Sequence, residues 1–190
     1  MAAVLLHLLR HGAPETPGLL LGRTDSHPTP AGISACLEQS LGLEIDALVT
    51  SDLLRSRRAA EAIAAARSLS VTIDPRWREL DFGDWDGLAP TTIDPAAAVA
   101  FYADPEANPP PGGERWSQLV ARVAAGIVAL DAAATLVVTH GGAMRAALAH
   151  LCGLTPAQVW AFDLPYGALL TLRVWPETEP RSAQIVALRP

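Results

Sequence analysis

Two apolar runs, each ending in a histidine and a glycine, set the terms for any fold of this chain. Ala3-Val4-Leu5-Leu6-His7-Leu8-Leu9 leads into Arg10-His11-Gly12, and Thr135-Leu136-Val137-Val138-Thr139 leads into His140-Gly141-Gly142. Short runs of this kind, without polar alternation, mark strands buried on both faces of a parallel sheet. In open sheets of that class, ligands bind beyond the carboxyl ends of the strands. Two histidines and an arginine would therefore emerge into one crevice, suited to a phosphate dianion with one histidine free to attack it. Taken alone, Arg-His-Gly reads as no more than a turn after a strand. The rest of the chain gives it weight.

Between the two runs, strand patterns alternate with helical ones. Thr29-Pro30 opens a helix, with Thr as the cap and Pro in the first turn, and Ile33, Leu37 and Leu41 form its apolar stripe. Ala47–Thr50 reads as a second strand. Ser51 is placed to cap the next helix, Leu53 to Arg67, which carries Arg55, Arg57 and Arg58. Ser70–Ile73 reads as a third strand. From Asp74 to Gly113 the pattern weakens into a loop-rich excursion with a short helix near Pro95 to Tyr102. An amphipathic helix follows from Glu114, with Trp116, Leu119, Val123 and Ile127 on one face. A helix from Gly142 to about Cys152 comes after the second apolar run. Leu169–Trp175 and Ala183–Leu188 read as late strands. Such alternation predicts an α/β layered fold with a largely parallel sheet, as one domain over residues 1–190.

Composition excludes several classes. The 190 residues are 50% hydrophobic, enough for one sizeable core. No apolar run approaches the roughly 18 residues of a membrane span. The N-terminus does not read as a secretory signal, so a cytoplasmic address is expected. A net charge of −6 gives no electrostatic case for nucleic acid or acidic membranes. The two cysteines, Cys36 and Cys152, form no metal-type pair, and the five histidines lack ligand spacing. No metal or cofactor is expected. All fourteen cationic side chains are Arg, so any side-chain cation on a phosphate must be a guanidinium fork.

Four segments together exceed chance: Leu9-Arg10-His11-Gly12, Ser51-Asp52-Leu53-Leu54-Arg55-Ser56, Arg78-Glu79-Leu80-Asp81-Phe82-Gly83-Asp84-Trp85-Asp86-Gly87, and Val138-Thr139-His140-Gly141-Gly142. In order and spacing they resemble the histidine phosphatase superfamily, which includes cofactor-dependent phosphoglycerate mutases and related phosphatases. The resemblance implies a three-layer α/β/α sandwich of phosphoglycerate mutase type. It implies His11 as the nucleophile, Arg10 and Arg55 on the phosphate oxygens, and His140 stabilising the transferring group. Gly12 and Gly141 would complete the cradle. Glu79 would give a proton to the leaving oxygen and then serve as base for water. The residues alone leave Asp81, Asp84 and Asp86 as rivals for that acid; only the resemblance selects Glu79. The chemistry agrees, because a phosphoryl group in flight needs mainly positioning and positive charge on its oxygens.

Leu21-Gly22-Arg23-Thr24-Asp25 and Pro111-Gly112-Gly113-Glu114 look most like α-ribazole-5′-phosphate phosphatases. That likeness makes Arg23 a candidate substrate contact, with Trp85 and Tyr102 as stacking surfaces. The chain departs from the family at Ala13 and Pro17, where many members carry Glu or Gln and Asn, so one customary phosphate contact is missing; Thr16 or Arg23 could replace it. His7, His27 and His150 carry no motif. The expected substrate is a small-molecule phosphate ester, hydrolysed through phosphohistidine. A mutase of the same chemistry and a catalytically silent phosphate binder are the alternatives; mutases typically carry longer insertions after the Glu segment. The C-terminal strands could pair across a homodimer, though nothing in the pattern demands it.

Overall fold

A computed structural model describes residues 3–175 and 182–190. One six-stranded sheet runs through it in the order β3-β2-β4-β1-β5-β6. The strands are β1 (Val4–Arg10), β2 (Ala47–Thr50), β3 (Val71–Ile73), β4 (Ala134–Thr139), β5 (Leu169–Trp175) and β6 (Ser182–Arg189). The first four pair in parallel, while β5 lies antiparallel between β1 and β6. The sheet is thus mixed, with the parallel part in the N-terminal two thirds.

Alternation along the central strands explains the layers. Leu136 and Val138 point to one face with Leu9 and Leu48, against Cys36, Ala59, Ala60 and Ile63. That face is covered by α1 (Pro30–Ser40) and α2 (Leu54–Arg67). Val137 points to the other with Leu6, Leu8 and Val49, against Leu119, Val123, Met144 and Leu148. There α4 (Trp116–Val128) and α5 (Gly141–Cys152) form the second helical layer. The excursion after β3 holds three 3-10 turns and α3 (Pro95–Ala103); a single turn, α6 (Pro156–Val159), follows α5. Among the described residues no helix is long and apolar enough to cross a membrane.

Two local expectations are corrected. The fully buried stripe of α1 is Gly32, Cys36 and Ser40; Leu37 packs half-buried beside it, while Leu41 lies past the helix and is 67% exposed. The cause is close approach to the end of β1. A Cβ on Gly12 would lie 2.0 Å from the Gly32 carbonyl oxygen, so only two facing glycines fit. Ser51 does not cap α2, whose N-cap is Leu53. The Leu54 N–H instead donates to the Asp25 carboxylate at 2.7 Å, which ties the loop after β1 to α2.

Candidate active site

Register brings the two histidines together. β1 and β4 pair with Arg10 opposite Thr139, so the next residue on each strand leaves the sheet at the same level. The His11 N–H donates to the Thr139 carbonyl at 2.9 Å, and the two imidazole centroids lie 5.1 Å apart, edge to face. Both rings are buried, His140 completely.

Hydrogen bonds fix what each ring can do. His11 Nδ1 lies 2.8 Å from the Gly12 carbonyl oxygen, which can only accept. The proton therefore sits on Nδ1 and the lone pair on Nε2. Burial holds His11 well below the usual histidine range, helped by the Arg55 and Arg10 guanidiniums and opposed only by the Gly12 carbonyl. A neutral imidazole with its nucleophilic nitrogen free is the outcome. His140 Nε2 meets the Ser51 and Ser56 hydroxyls at 2.7 and 3.2 Å. Its Nδ1 is buried without a partner. Burial, then Arg55, His11 and Arg10, push His140 down as well. Anion entry would reverse those electrostatic penalties, and a protonated Nδ1 could then donate.

The arginines surround this pair. Arg10 donates through Nη1 to the Leu164 carbonyl at 2.6 Å and lies over the Tyr166 ring, 4.3 Å from its centroid. Its Nε is buried and without a partner. Arg55 is fully buried; its Nη1 and Nη2 donate to the carbonyls of Thr24, Leu21 and Gly22, again leaving Nε without a partner. Arg55 thus grips the loop after β1 as well as charging the histidine pair. Buried N–H groups with no acceptor are costly, typically by about 1–3 kcal/mol each. Two such guanidinium nitrogens beside the histidine pair, with His140 Nδ1 within it, suit the place to an anion.

Glu79 sits across from them at the start of α5. Its carboxylate accepts from the Gly142 N–H, at 2.9 and 3.2 Å, and from its own following N–H at 2.8 Å. The missing side chain of Gly142 leaves room for that carboxylate, since a Cβ there would lie 2.1 Å from Glu79 Oε1. A Cβ on Gly141 would stand 3.2 Å from the Arg145 guanidinium and 3.5 Å, an ordinary contact, from that of Arg10. Arg122 holds the Glu79 segment from behind. It donates to the carbonyls of Arg76, Arg78 and Glu79 and pairs with Glu114 at 2.7 Å. Glu114, in the segment Pro111-Gly112-Gly113-Glu114, acts in this structure as the anchor of that strut.

A small cavity of about 100 Å³ joins Arg10, His11, Glu79, Phe82 and Tyr166 with Leu19, Leu20 and Leu21. Arg10, Glu79 and Phe82 also border a second cavity, lined by Tyr102, Arg145 and Trp160 among others. His11, His140, Arg10, Arg55, Glu79, Gly12 and Gly141 are thus brought to one place.

Other residues have different surroundings. Arg23 borders neither of these two cavities and donates to Asp81 at 3.1 Å, while its Nη1 is buried without a partner. Trp85 is buried against Phe101, so it is core and offers no stacking surface. Asp86 is not free for catalysis, because it accepts from the N–H groups of Gly22, Arg23 and Thr24. Thr16 pairs with Ser26 on the exposed loop. Burial pushes the Cys36 thiol up to about 12, which makes it inert. Sequence reasoning missed Tyr166, Arg145, Ser51 and Ser56 as parts of the site. A second serine in the first turn of α2, shortly after Ser51, was the only available signal, and only for the last two.

A buried, neutral histidine with a free Nε2, faced by a second histidine, two guanidiniums and a carboxylate, defines a phosphoryl-handling site at the carboxyl ends of the central strands of an α/β sheet. The chain belongs to the histidine phosphatase superfamily (branch 1), whose family model matches residues 6–185. It is similar to a 2,3-bisphosphoglycerate-dependent phosphoglycerate mutase of Methylocella silvestris, at 30% identity over 96% of this chain and 98% of the relative. It is also similar to the adenosylcobalamin/alpha-ribazole phosphatase of Salmonella typhimurium, at 28% identity over 85% of this chain and 86% of that protein. Among solved structures, the mycobacterial glucosyl-3-phosphoglycerate phosphatase in complex with inorganic phosphate superimposes with a TM-score of 0.84, at 27% identity, over 97% of this chain and 96% of that one.

Proposed function

We propose that this protein is a phosphomonoesterase that works through phosphohistidine without a metal. His11 Nε2 attacks phosphorus as the ester P–O bond breaks, and Glu79 gives its proton to the leaving alkoxide. Water then attacks the phosphorus while Glu79 takes its proton. The N–P bond breaks, inorganic phosphate leaves, and His11 returns to its neutral form. Arg10, Arg55 and His140 carry the charge of the equatorial oxygens, the larger part of what such a transfer needs. The observation that carries this reading is the tautomer of His11, locked by Gly12 with Nε2 free among partnerless donors.

Hydrolysis is favoured over mutase action. The alignment with the Methylocella mutase runs over 206 positions against 190 residues here, so that relative carries insertions this chain lacks. We read the shorter chain as leaving the site more open to water, which favours hydrolysis of a phosphohistidine. Among named esters, α-ribazole-5′-phosphate is our leading substrate, supported by the likeness to the Salmonella enzyme. The test is phosphate release in EDTA from α-ribazole-5′-phosphate, sugar phosphates, 3-phosphoglycerate, nucleotides and p-nitrophenyl phosphate. Wild type should release phosphate and His11→Ala should not. Loss of activity in chelator, or interconversion of 2- and 3-phosphoglycerate without net release, would overturn the reading. No release from any ester by a folded protein would shift it to a silent phosphate binder.

A further inference from the structure

The second cavity, about 170 Å³, begins where the phosphate end stops. Arg10, Glu79 and Phe82 border both spaces, so the second lies open to a group bonded to the oxygen that Glu79 protonates. Beyond that threshold the wall is aromatic, formed by Phe101, Tyr102, Trp116 and Trp160. The rings brace one another. Phe101 and Tyr102 meet edge to face at 5.1 Å, and Tyr102 and Trp160 at 5.2 Å. This is the arrangement that ring quadrupoles favour, so the wall is set before a ligand arrives. Arg145, from α5, is the further cation of the lining. It lies over the Trp160 ring at 4.6 Å and donates to the Phe162 carbonyl at 3.2 Å, and burial weakens its hold on its proton. Tyr102, 47% exposed, stands at the mouth with a face still to be covered.

Such a wall discriminates by chemistry. A flat ring would gain burial and edge or face contacts. The cavity is smaller than the roughly 300–1,000 Å³ of drug-sized sites, so it holds one small ring system. Resting on the phosphatase reading above, we propose that the alcohol released by this protein carries a planar aromatic or heteroaromatic ring seated against Tyr102 and Trp160. A phosphoglycerate offers no such ring.

The test compares esters whose leaving groups are all alkyl alcohols: 2-phenylethyl phosphate, ethyl phosphate and glycerol 3-phosphate. For wild type, kcat/KM for the phenylethyl ester should exceed that of the other two by about 10- to 100-fold, the gain from burying a phenyl-sized group. In Tyr102→Ala and Trp160→Ala that ratio should fall towards one, mainly through KM, and Tyr102→Phe should restore it. Equal kcat/KM for the three esters, or variants that lower all three alike, would overturn the proposal. If no ester turns over, the phosphatase reading fails and the cavity is read by calorimetry with 2-phenylethylphosphonate and ethylphosphonate. Tighter binding of the ring compound, lost in Tyr102→Ala, would still support the ring; equal binding would overturn it.

Discussion

Gly142 shows how much of the chemistry rests on single atoms. Its N–H holds the Glu79 carboxylate, and its missing Cβ leaves the space that carboxylate occupies. Gly142→Ala would push aside the flexible end of Glu79 and no backbone. Stability should therefore change by less than about 1 kcal/mol, with better helix propensity offsetting the contact. Turnover should fall about 100-fold, the usual cost of displacing a reacting group by an ångström. Steady-state kinetics beside a thermal melt checks both halves; loss of fold in parallel with activity would contradict it. The residues of this site divide by how they could be read. His11, Arg10 and His140 were legible because strand ends and glycines mark them. Glu79 was not separable from Asp81, Asp84 and Asp86 by residue type. What sets it apart is contact with α5, some 60 residues later in the chain, which no local pattern encodes.

At the scale of elements, the parallel strands and the α4 face were legible from apolar runs and helical spacing, and the structure keeps them: Trp116, Leu119, Val123 and Ile127 are all buried. The α1 stripe was misread because facing glycines, and not large side chains, set how closely it packs. Of the aromatic cavity the sequence offered Tyr102 and no more, because its walls come from the excursion, α4, α5 and the turn after α6. The strut from α4 to the Glu79 segment belongs here too. Glu114 and Arg122 are only 10% and 19% exposed, and Arg122 satisfies three carbonyls besides. Arg122→Ala would leave a poorly hydrated carboxylate without its partner, at about 3–5 kcal/mol. It should also loosen Glu79, so kcat should drop more than KM rises. Chemical denaturation should show the double variant Glu114→Gln/Arg122→Met recovering part of the stability without recovering turnover. Full recovery of turnover would show that the strut does not position Glu79.

The whole molecule registers the histidine pair as a dependence of stability on pH. His11 and His140 are both held well below 6.5 by burial and by the arginines. Below pH 6.5 the unfolded chain takes up protons on these histidines and the folded chain does not. Stability rises with pH wherever the unfolded state binds more protons, so acidification through this window must cost stability. The thermal midpoint should fall as pH drops from about 6.5 towards 5, and His11→Asn should flatten that slope. A midpoint independent of pH there, or an unchanged slope in the variant, would show that the pair is not held neutral. The same neutrality lets His11 act as a nucleophile, so fold and chemistry share one electrostatic cause. The most direct test of that chemistry uses Glu79→Gln with p-nitrophenyl phosphate, whose leaving group needs no proton. The variant can take up the phosphoryl group and lacks the base to hydrolyse it. After an alkaline quench, peptide mapping should find about one acid-labile phosphoryl group per chain on His11, with a matching burst of p-nitrophenol. A burst with the phosphoryl group on another residue, or steady turnover with no covalent phosphoryl group, would contradict the account.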